Sequence, residues 1–242
     1  MKKSTLAAGL LALSSAAMAG PAAYVHTPTV EYGETEIELH LGTTREPGEE
    51  RETAAVLAFA RGLTQHWYSE VEFEFEREGS QGTRLEAFEW ANILTFAEQG
   101  EWPVDLGLLL VLERPMDHAE GWEVKVGALL QKDFGKVQLN FNPILERHLD
   151  AEEESETELV YEWQAKYRYA QAFEFGMQGF GEVGKWNDWE DSDEQTHMAG
   201  PAIFGKWPIG EHDAIKYDMA LLYGLNDHTA DHTLRMTVEY EF

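Results

Sequence analysis

From residue 34 to the last residue, apolar and polar side chains alternate with a period of two in one segment after another. Successive side chains of a β-strand point to opposite faces, so this period predicts strands with one apolar and one polar face. Segment 67–76 shows the pattern most clearly, because glutamates separate its apolar positions. These glutamates share one predicted face: Glu70, Glu72, Glu74 and Glu76. A helix would mix the two classes of side chain on every face.

The alternation predicts an all-β chain of about twelve strands. They lie near 34–43, 53–61, 66–77, 84–96, 104–114, 122–132, 136–147, 157–169, 172–185, 196–206, 214–225 and 231–242. An even number is typical of single-chain bacterial barrels, so we expect a closed antiparallel up-and-down transmembrane β-barrel over 34–242. Pro143 and Pro201 fall inside predicted strands, where each predicts a bulge or a strand end. If both of those strands failed, ten would remain.

The first residues have the organisation of a secretory signal peptide. Lys2 and Lys3 provide a basic start, 6–12 is a short apolar stretch, and 17–19 reads Ala-Met-Ala, a small-x-small cleavage pattern. We expect residues 1–19 to be cleaved. We expect residues 20–33 to form a periplasmic N-terminal segment before the barrel.

The predicted connections alternate in length, as short periplasmic turns and longer outer loops do in outer-membrane barrels. The outer set is 44–52, 78–83, 115–121, 148–156, 186–195 and 226–230. The inner set, mostly shorter, is 62–65, 97–103, 133–135, 170–171 and 207–213. A water-soluble β-sandwich is the alternative fold, because its strands also alternate and its apolar face would form a core.

The composition excludes several classes of protein. The chain has 45 Asp and Glu against 18 Lys and Arg, and this formal net charge of -27 repels the phosphates of nucleic acids. It has no cysteine, which excludes disulfides, thiolate metal sites and thiol nucleophiles. After the N-terminal twenty residues, the apolar runs, such as 106–112, are about seven residues long, much shorter than the about 20 residues that a spanning helix needs.

The last strand resembles the C-terminal signature of Gram-negative outer-membrane β-barrels. Apolar residues occupy alternate positions and the last residue is aromatic: Leu234, Met236, Val238, Tyr240 and Phe242. The resemblance implies that Met236, Val238, Tyr240 and Phe242 form a signal for the barrel assembly machinery. It also implies that the chain lies in the outer membrane, in contact with its lipids and lipopolysaccharide.

Two short stretches are similar to the outer-membrane transporters grouped with the MetA-pathway of phenol degradation family. They are 200–205, Gly-Pro-Ala-Ile-Phe-Gly, and 238–242, Val-Glu-Tyr-Glu-Phe. This resemblance implies the same fold and location, and it implies no particular substrate.

The polar faces of the predicted strands are the candidate functional surface, because the lumen of such a barrel is polar. An acidic strip of side chains that faces a basic strip across the water of the lumen would create a transverse electric field. Such a field would orient and select polar solutes. The predicted pore lining is Glu70, Glu72, Glu74, Glu76, Glu162, Lys166, Arg168, Lys216 and Arg235. We therefore predict a passive channel for a small polar or weakly apolar solute. The alternative is a plugged structural or interaction barrel, in which the same charges pair across the lumen.

An outer-membrane lipid or ester hydrolase is a second alternative. Such an enzyme needs a Ser and a His within hydrogen-bond reach and a third group that orients the His. His66 and Ser69 are three residues apart on one strand and therefore point to opposite faces. His148 could approach Ser155 in a loop, but nothing in the sequence places a third group there.

Metal and cofactor signals are weak, and we predict no cofactor. His228 and His232, in or beside one loop with two aspartates, are candidate ligands of zinc or copper. The acidic outer loops could bind Ca²⁺ or Mg²⁺ and so bridge to lipopolysaccharide phosphates. The acidity could instead reflect a salty habitat.

Overall fold

The computed structural model describes residues 20–45, 50–211 and 213–242. Within them the chain forms twelve strands: β1 Thr35–Arg45, β2 Glu52–Thr64, β3 Trp67–Glu78, β4 Arg84–Thr95, β5 Asp105–Pro115, β6 Trp122–Phe134, β7 Val137–Leu149, β8 Glu158–Ala170, β9 Phe173–Lys185, β10 Thr196–Pro208, β11 Ala214–Gly224 and β12 His232–Glu241. A short 3-10 helix, His118–Glu120, follows β5. Among the described residues, no helix is long and apolar enough to cross a membrane. The predicted signal peptide, 1–19, lies outside the described residues.

The twelve strands form a closed antiparallel up-and-down barrel. Each strand pairs with its neighbours in sequence, and β1 pairs with β12 to close the sheet. Reciprocal backbone hydrogen bonds between Thr35 and Phe242, of 3.0 and 2.9 Å, fasten the closing pair. Closure satisfies backbone polar groups without a free edge, as a bilayer requires. The predicted fold class and strand number are confirmed, and the strand bounds agree to within a few residues.

The two ends of the barrel differ. At one end, here called the turn end, lie the connections β2–β3, β6–β7 and β8–β9, each of which has two residues. At the other, here called the loop end, the connections after β1, β3, β5, β7, β9 and β11 have five to ten residues. The alternation predicted from the sequence is present for most connections, but β4–β5 and β10–β11, with nine and five residues at the turn end, do not follow it.

In this barrel apolar side chains are exposed and polar side chains are buried, which is the reverse of a water-soluble protein. On β1, Ile37 and Leu39 point outward and are 37% and 40% exposed, whereas Glu38 and His40 point inward and are 6% and 0% exposed. The same division recurs around the wall, so an apolar belt surrounds a polar interior. In a β-sandwich the apolar faces would be the buried ones. An exposed apolar belt on a closed sheet fits a bilayer.

The two prolines inside strands leave the register unchanged. Pro143 lies in β7, and the β6–β7 register is the same on both sides of it. The same holds for Pro201 in the β10–β11 ladder. The predicted bulges or strand ends at these prolines are therefore wrong. At Pro143, the side chain of Asn142 accepts a hydrogen bond of 3.3 Å from the backbone N–H of Leu130 and so replaces part of the ladder.

The proposed assembly signal forms part of the outward face of β12 at the turn end. Tyr240 and Phe242 are exposed, and their ring centroids stack 5.3 Å apart. Val238 continues the same apolar stripe, 36% exposed, and Met236 is half-buried.

Candidate functional site

The inward face of β2 carries little side-chain volume. Its residues are Ala54, Val56, Ala58, Ala60 and Gly62, all buried. This leaves a groove along the inside of the barrel wall. Residues 20–33, called the N-terminal segment from here on, lie against it, and Ala22 packs on Ala54 and Val56.

Glycines let the backbone of the N-terminal segment approach the wall closely. A Cβ atom on Gly42 of β1 would overlap the carbonyl group of Pro21, and one on Gly62 of β2 would overlap the carbonyl group of Glu31. The N–H of Gly33 donates to the carbonyl oxygen of Gly62 at 2.9 Å. Because Gly42 lies toward the loop end and Gly62 at the turn end, the segment runs along most of the lumen.

Two residues tie the middle of the N-terminal segment to distant parts of the wall. The Tyr24 hydroxyl donates to Glu72 at 2.9 Å and lies 3.3 Å from an oxygen of Glu70. The backbone N–H of His26 donates to Glu162 at 2.8 Å, and its Nδ1 lies 3.0 Å from the same oxygen. Glu70 and Glu72 belong to β3, whereas Glu162 belongs to β8. The segment is therefore fastened on two sides.

Val25, between these two residues, contacts a third part of the wall. It completes a buried apolar cluster with residues of β9, β10 and β11: Phe180, Met198, Ala202, Phe204, Ala220 and Leu222. Three consecutive residues thus contact β3, β8 and the β9–β11 wall. The N-terminal segment crosses the lumen at this level and narrows it.

This position differs from the periplasmic placement that we expected for residues 20–33. The segment contacts inward-facing strand residues, as the hydrogen bonds of Tyr24 and His26 show. The segment has no alternation, so periodicity could not place it. The signal that could have found it is the row of small residues on β2, which leaves space that something must fill.

A cavity of about 450 Å³ occupies the turn-end half of the lumen. It reaches the β4–β5 and β8–β9 connections, where Gln99 and Gln171 line it. Eight acidic side chains line it: Glu31, Glu34, Glu36, Glu38, Glu70, Glu174, Asp218 and Glu239. Four cationic ones do so: Lys166, Arg168, Lys206 and Lys216. The excess of carboxylates makes this cavity attractive to cations.

The cations that line or border this cavity lie on β8, β10, β11 and β12. Lys166 lies 3.7 Å from Glu174, and Arg168 pairs with Asp133 at 2.9 Å. Lys216 is 2.7 Å from Glu239. Three of the four predicted cations, Lys166, Arg168 and Lys216, therefore line the cavity, each with an acidic partner.

Two further cations, Arg235 and Lys206, lie elsewhere than the sequence predicted or were not predicted at all. Arg235 is 2% exposed and is held by Asp218 at 2.7 Å and by Gln178 at 2.8 Å. It is part of the packed wall beside the cavity. Lys206, which sequence reasoning missed, lies 2.6 Å from Glu241. Its inward position follows from the same alternation in β10.

The predicted acidic residues divide into two groups. Glu70, Glu72 and Glu162 contact the N-terminal segment. Glu74 and Glu76 lie nearer the loop end of β3, where Glu76 is 3.5 Å from Arg84. The acidic ladder therefore holds Tyr24 through Glu70 and Glu72, and Glu74 lies close to Gly20 at the start of the segment.

A second charged cluster lies on the inward faces of β4, β5 and β6. Lys125 is 2.9 Å from Glu113, 3.2 Å from Glu123 and 3.6 Å from Glu89. One cation shared by three carboxylates leaves this part of the wall acidic as well. Periodicity alone places these residues inward, but their mutual distances depend on the strand register.

The serines considered for catalysis have other partners. The Ser155 hydroxyl accepts a hydrogen bond of 3.2 Å from the backbone N–H of His148, while the His148 ring faces the carbonyl oxygen of Glu120 at 3.1 Å. Ser69 accepts from the indole of Trp90 at 3.0 Å. These contacts give the hydrolase alternative no support.

Comparison with known proteins identifies the architecture. No known family model matches the sequence, and no curated protein sequence matches it. Among solved structures, the NanC porin superposes with a TM-score of 0.57 at 10% identity, covering 85% of this chain and 100% of that one. The fold is that of outer-membrane porins.

Two further porin-like structures agree. The KdgM porin gives a TM-score of 0.56 at 6% identity and covers 86% of this chain and 99% of its own. The COG4313 outer membrane channel from Pseudomonas putida F1 gives 0.57 at 13% identity, with 90% and 98% covered. At these identities the similarity concerns the fold, so the function must be argued from the lumen itself.

Proposed function

We propose that this protein is a passive outer-membrane channel for small polar solutes, with a preference for cations. The observation that carries the proposal is the cavity of about 450 Å³ inside a closed barrel, lined by more acidic than basic side chains. The exposed apolar belt supports a position in lipid. The turn end then faces the periplasm. The N-terminal segment determines the width of the open channel, here called the bore.

Planar bilayer recording of the refolded protein tests this proposal. We expect small discrete current steps and, across a salt gradient, a reversal potential that shows cation preference. Anion preference would contradict the assignment of the acidic cavity as the selective region. If the protein is folded and inserted but silent, and a variant without the N-terminal segment is silent too, the channel proposal fails.

A plugged barrel is the second candidate, favoured by the contacts that Tyr24, Val25 and His26 make with three parts of the wall. In that case the complete protein would be silent and removal of the segment would create conductance. The same recordings therefore distinguish a narrow channel from a closed one.

Neutralising two cavity cations should increase cation preference. In the double variant Lys166→Gln, Arg168→Gln, the partners Glu174 and Asp133 lose their counter-charges. We expect the cation-to-anion permeability ratio to rise by about two- to fivefold, measured from the reversal potential. Lys185→Gln, an exposed cation paired with Glu156 at the loop end, is the matched control. An unchanged ratio would remove Lys166 and Arg168 from the conduction path.

Cation preference should also depend on pH at the turn end. Burial, and to a lesser degree the neighbouring Glu241 carboxylate, raises the pKa of Glu34 to about 8. Glu34 lines the cavity, so it is mostly neutral at pH 7 and anionic at pH 9. The permeability ratio should therefore increase across this interval, and Glu34→Gln should reduce the increase. Glu98→Gln, on an exposed turn at the same end, should not; an equal reduction in both variants would contradict the role of Glu34.

We propose three further interactions of the barrel with its surroundings. They are recognition of Met236, Val238, Tyr240 and Phe242 by the assembly machinery, binding of Ca²⁺ or Mg²⁺ by the acidic outer loops, and contact of those loops with lipopolysaccharide. Membership of the MetA-pathway of phenol degradation family is also a proposal, supported by the motif at 200–205 and the closing strand.

A further inference from the structure

Three potential metal ligands meet inside the barrel beneath the N-terminal segment. Glu38 and His40 are on the inward face of β1, and Glu70 is on the inward face of β3. Each offers a ligand atom, and these atoms lie within 4.8 Å of one another. The three residues are 6%, 0% and 3% exposed. They therefore form a compact group with almost no contact with bulk water.

The two ring nitrogens of His40 have different surroundings. Its Nδ1 lies 3.0 Å from the hydroxyl oxygen of Thr237. If Nδ1 carries the proton and donates to Thr237, the lone pair of the neutral ring is on Nε2. Nε2 is buried, has no hydrogen-bond partner and lies 3.2 Å from a carboxylate oxygen of Glu38. Oε1 of Glu70 is likewise buried without a hydrogen-bond partner.

Buried polar atoms without partners are costly, and a cation between them would remove that cost. The two carboxylates would neutralise the charge of a divalent ion. An imidazole beside two carboxylates favours zinc and related transition metals, whereas Ca²⁺ and Mg²⁺ prefer oxygen ligands alone. Small side-chain rotations would bring the three atoms to the about 2.0–2.2 Å distances at which nitrogen and oxygen bind zinc.

We propose that Glu38, His40 and Glu70 bind one divalent transition-metal ion of the zinc class in the lumen. Tyr24 covers this site: its ring stacks on that of His40 with centroids 4.2 Å apart, and its hydroxyl lies 3.3 Å from Glu70. The ion therefore lies where the N-terminal segment contacts the wall. The site differs from the pair His228 and His232 that the sequence suggested, which lies in or beside a loop-end connection.

Metal titration of the folded full-length barrel tests this site. After treatment with a chelator, we expect the protein to bind one equivalent of Co²⁺, seen as visible absorption, and one equivalent of Zn²⁺ that displaces it. His40→Gln and Glu70→Gln should each weaken Zn²⁺ binding by at least about tenfold. The double variant His228→Gln, His232→Gln is the control and should bind as the unmodified protein does.

The titration distinguishes a metal site in the lumen from an ion pair and from binding at the loop end. Absence of stoichiometric binding would overturn the proposal and indicate a His40–Glu38 ion pair instead. Loss of binding in the control variant alone would place the metal at the loop-end histidines, which also overturns it. If neither lumen variant folds, X-ray absorption of the zinc-loaded unmodified protein decides: one imidazole with oxygen ligands supports the site, and two or more imidazoles contradict it.

Discussion

Removal of residues 22–30 should increase the single-channel conductance at least about threefold, because a twelve-stranded barrel without an internal segment has a wider lumen than one that is filled. The deletion removes Tyr24 and His26, which are fastened to β3 and β8, and Val25, which packs on the opposite wall. It leaves Gly20 and Pro21 for signal cleavage and does not alter the strands.

Deletion of residues 152–154 provides the matched control for this experiment. These residues are exposed in a connection at the loop end, so their loss should change the conductance little. Both variants should show the mobility shift on heating in detergent gels that reports a folded barrel. Equal conductance in the deletion variant and the complete protein would mean that the N-terminal segment does not determine the bore.

Two point substitutions should displace the N-terminal segment without shortening the chain. In Gly42→Val, Gly62→Val the new side chains would overlap the carbonyl groups of Pro21 and Glu31, which are backbone atoms and cannot rotate away. Valine itself suits a strand, so the wall should tolerate it. We expect conductance to rise about twofold or more and the segment to become accessible to protease.

The control for these substitutions is Gly82→Val, where an added Cβ atom would meet nothing within 4 Å. It should change neither conductance nor proteolysis. A double variant that folds, conducts as before and protects its N-terminal segment would show that the close approach at Gly42 and Gly62 is not required. Partial release, with proteolysis but no change in conductance, would separate the position of the segment from its effect on the bore.

The barrel could be predicted from the sequence because one local rule decides it. Alternation identifies which side chains face inward, and this holds for β3, where Glu70 and Glu72 are buried as expected. Prolines were misjudged because strand register depends on hydrogen bonds along the whole ladder. Pro143 is tolerated since its neighbours and the Asn142 side chain maintain that ladder.

The site was predicted only in part, since it depends on contacts between residues distant in sequence. Periodicity placed Glu162 and Lys166 inward, yet it could not show that Glu162 would bind His26, 136 residues away. Nor could it show that His40 of β1 would lie beside Glu70 of β3. The register of the strand pairs determines which residues of these two strands lie at the same height in the barrel. The composition predicts an acidic lumen, whereas the fold determines where in that lumen a cation can bind.

The N-terminal segment must lie inside the lumen if it sets the bore, and a cross-link measures this position most directly. The chain has no cysteine, so the double variant Ala22→Cys, Ala54→Cys contains one pair of thiols and no others. These residues pack in one buried cluster, whereas Ala91, used for the control pair Ala22→Cys, Ala91→Cys, belongs to another. In the folded, membrane-inserted protein we predict that a disulfide or a short dithiol cross-link forms with high yield in the first pair and not in the second. Failure of the first pair to link, with both thiols free to react with a soluble reagent, would contradict a segment inside the lumen.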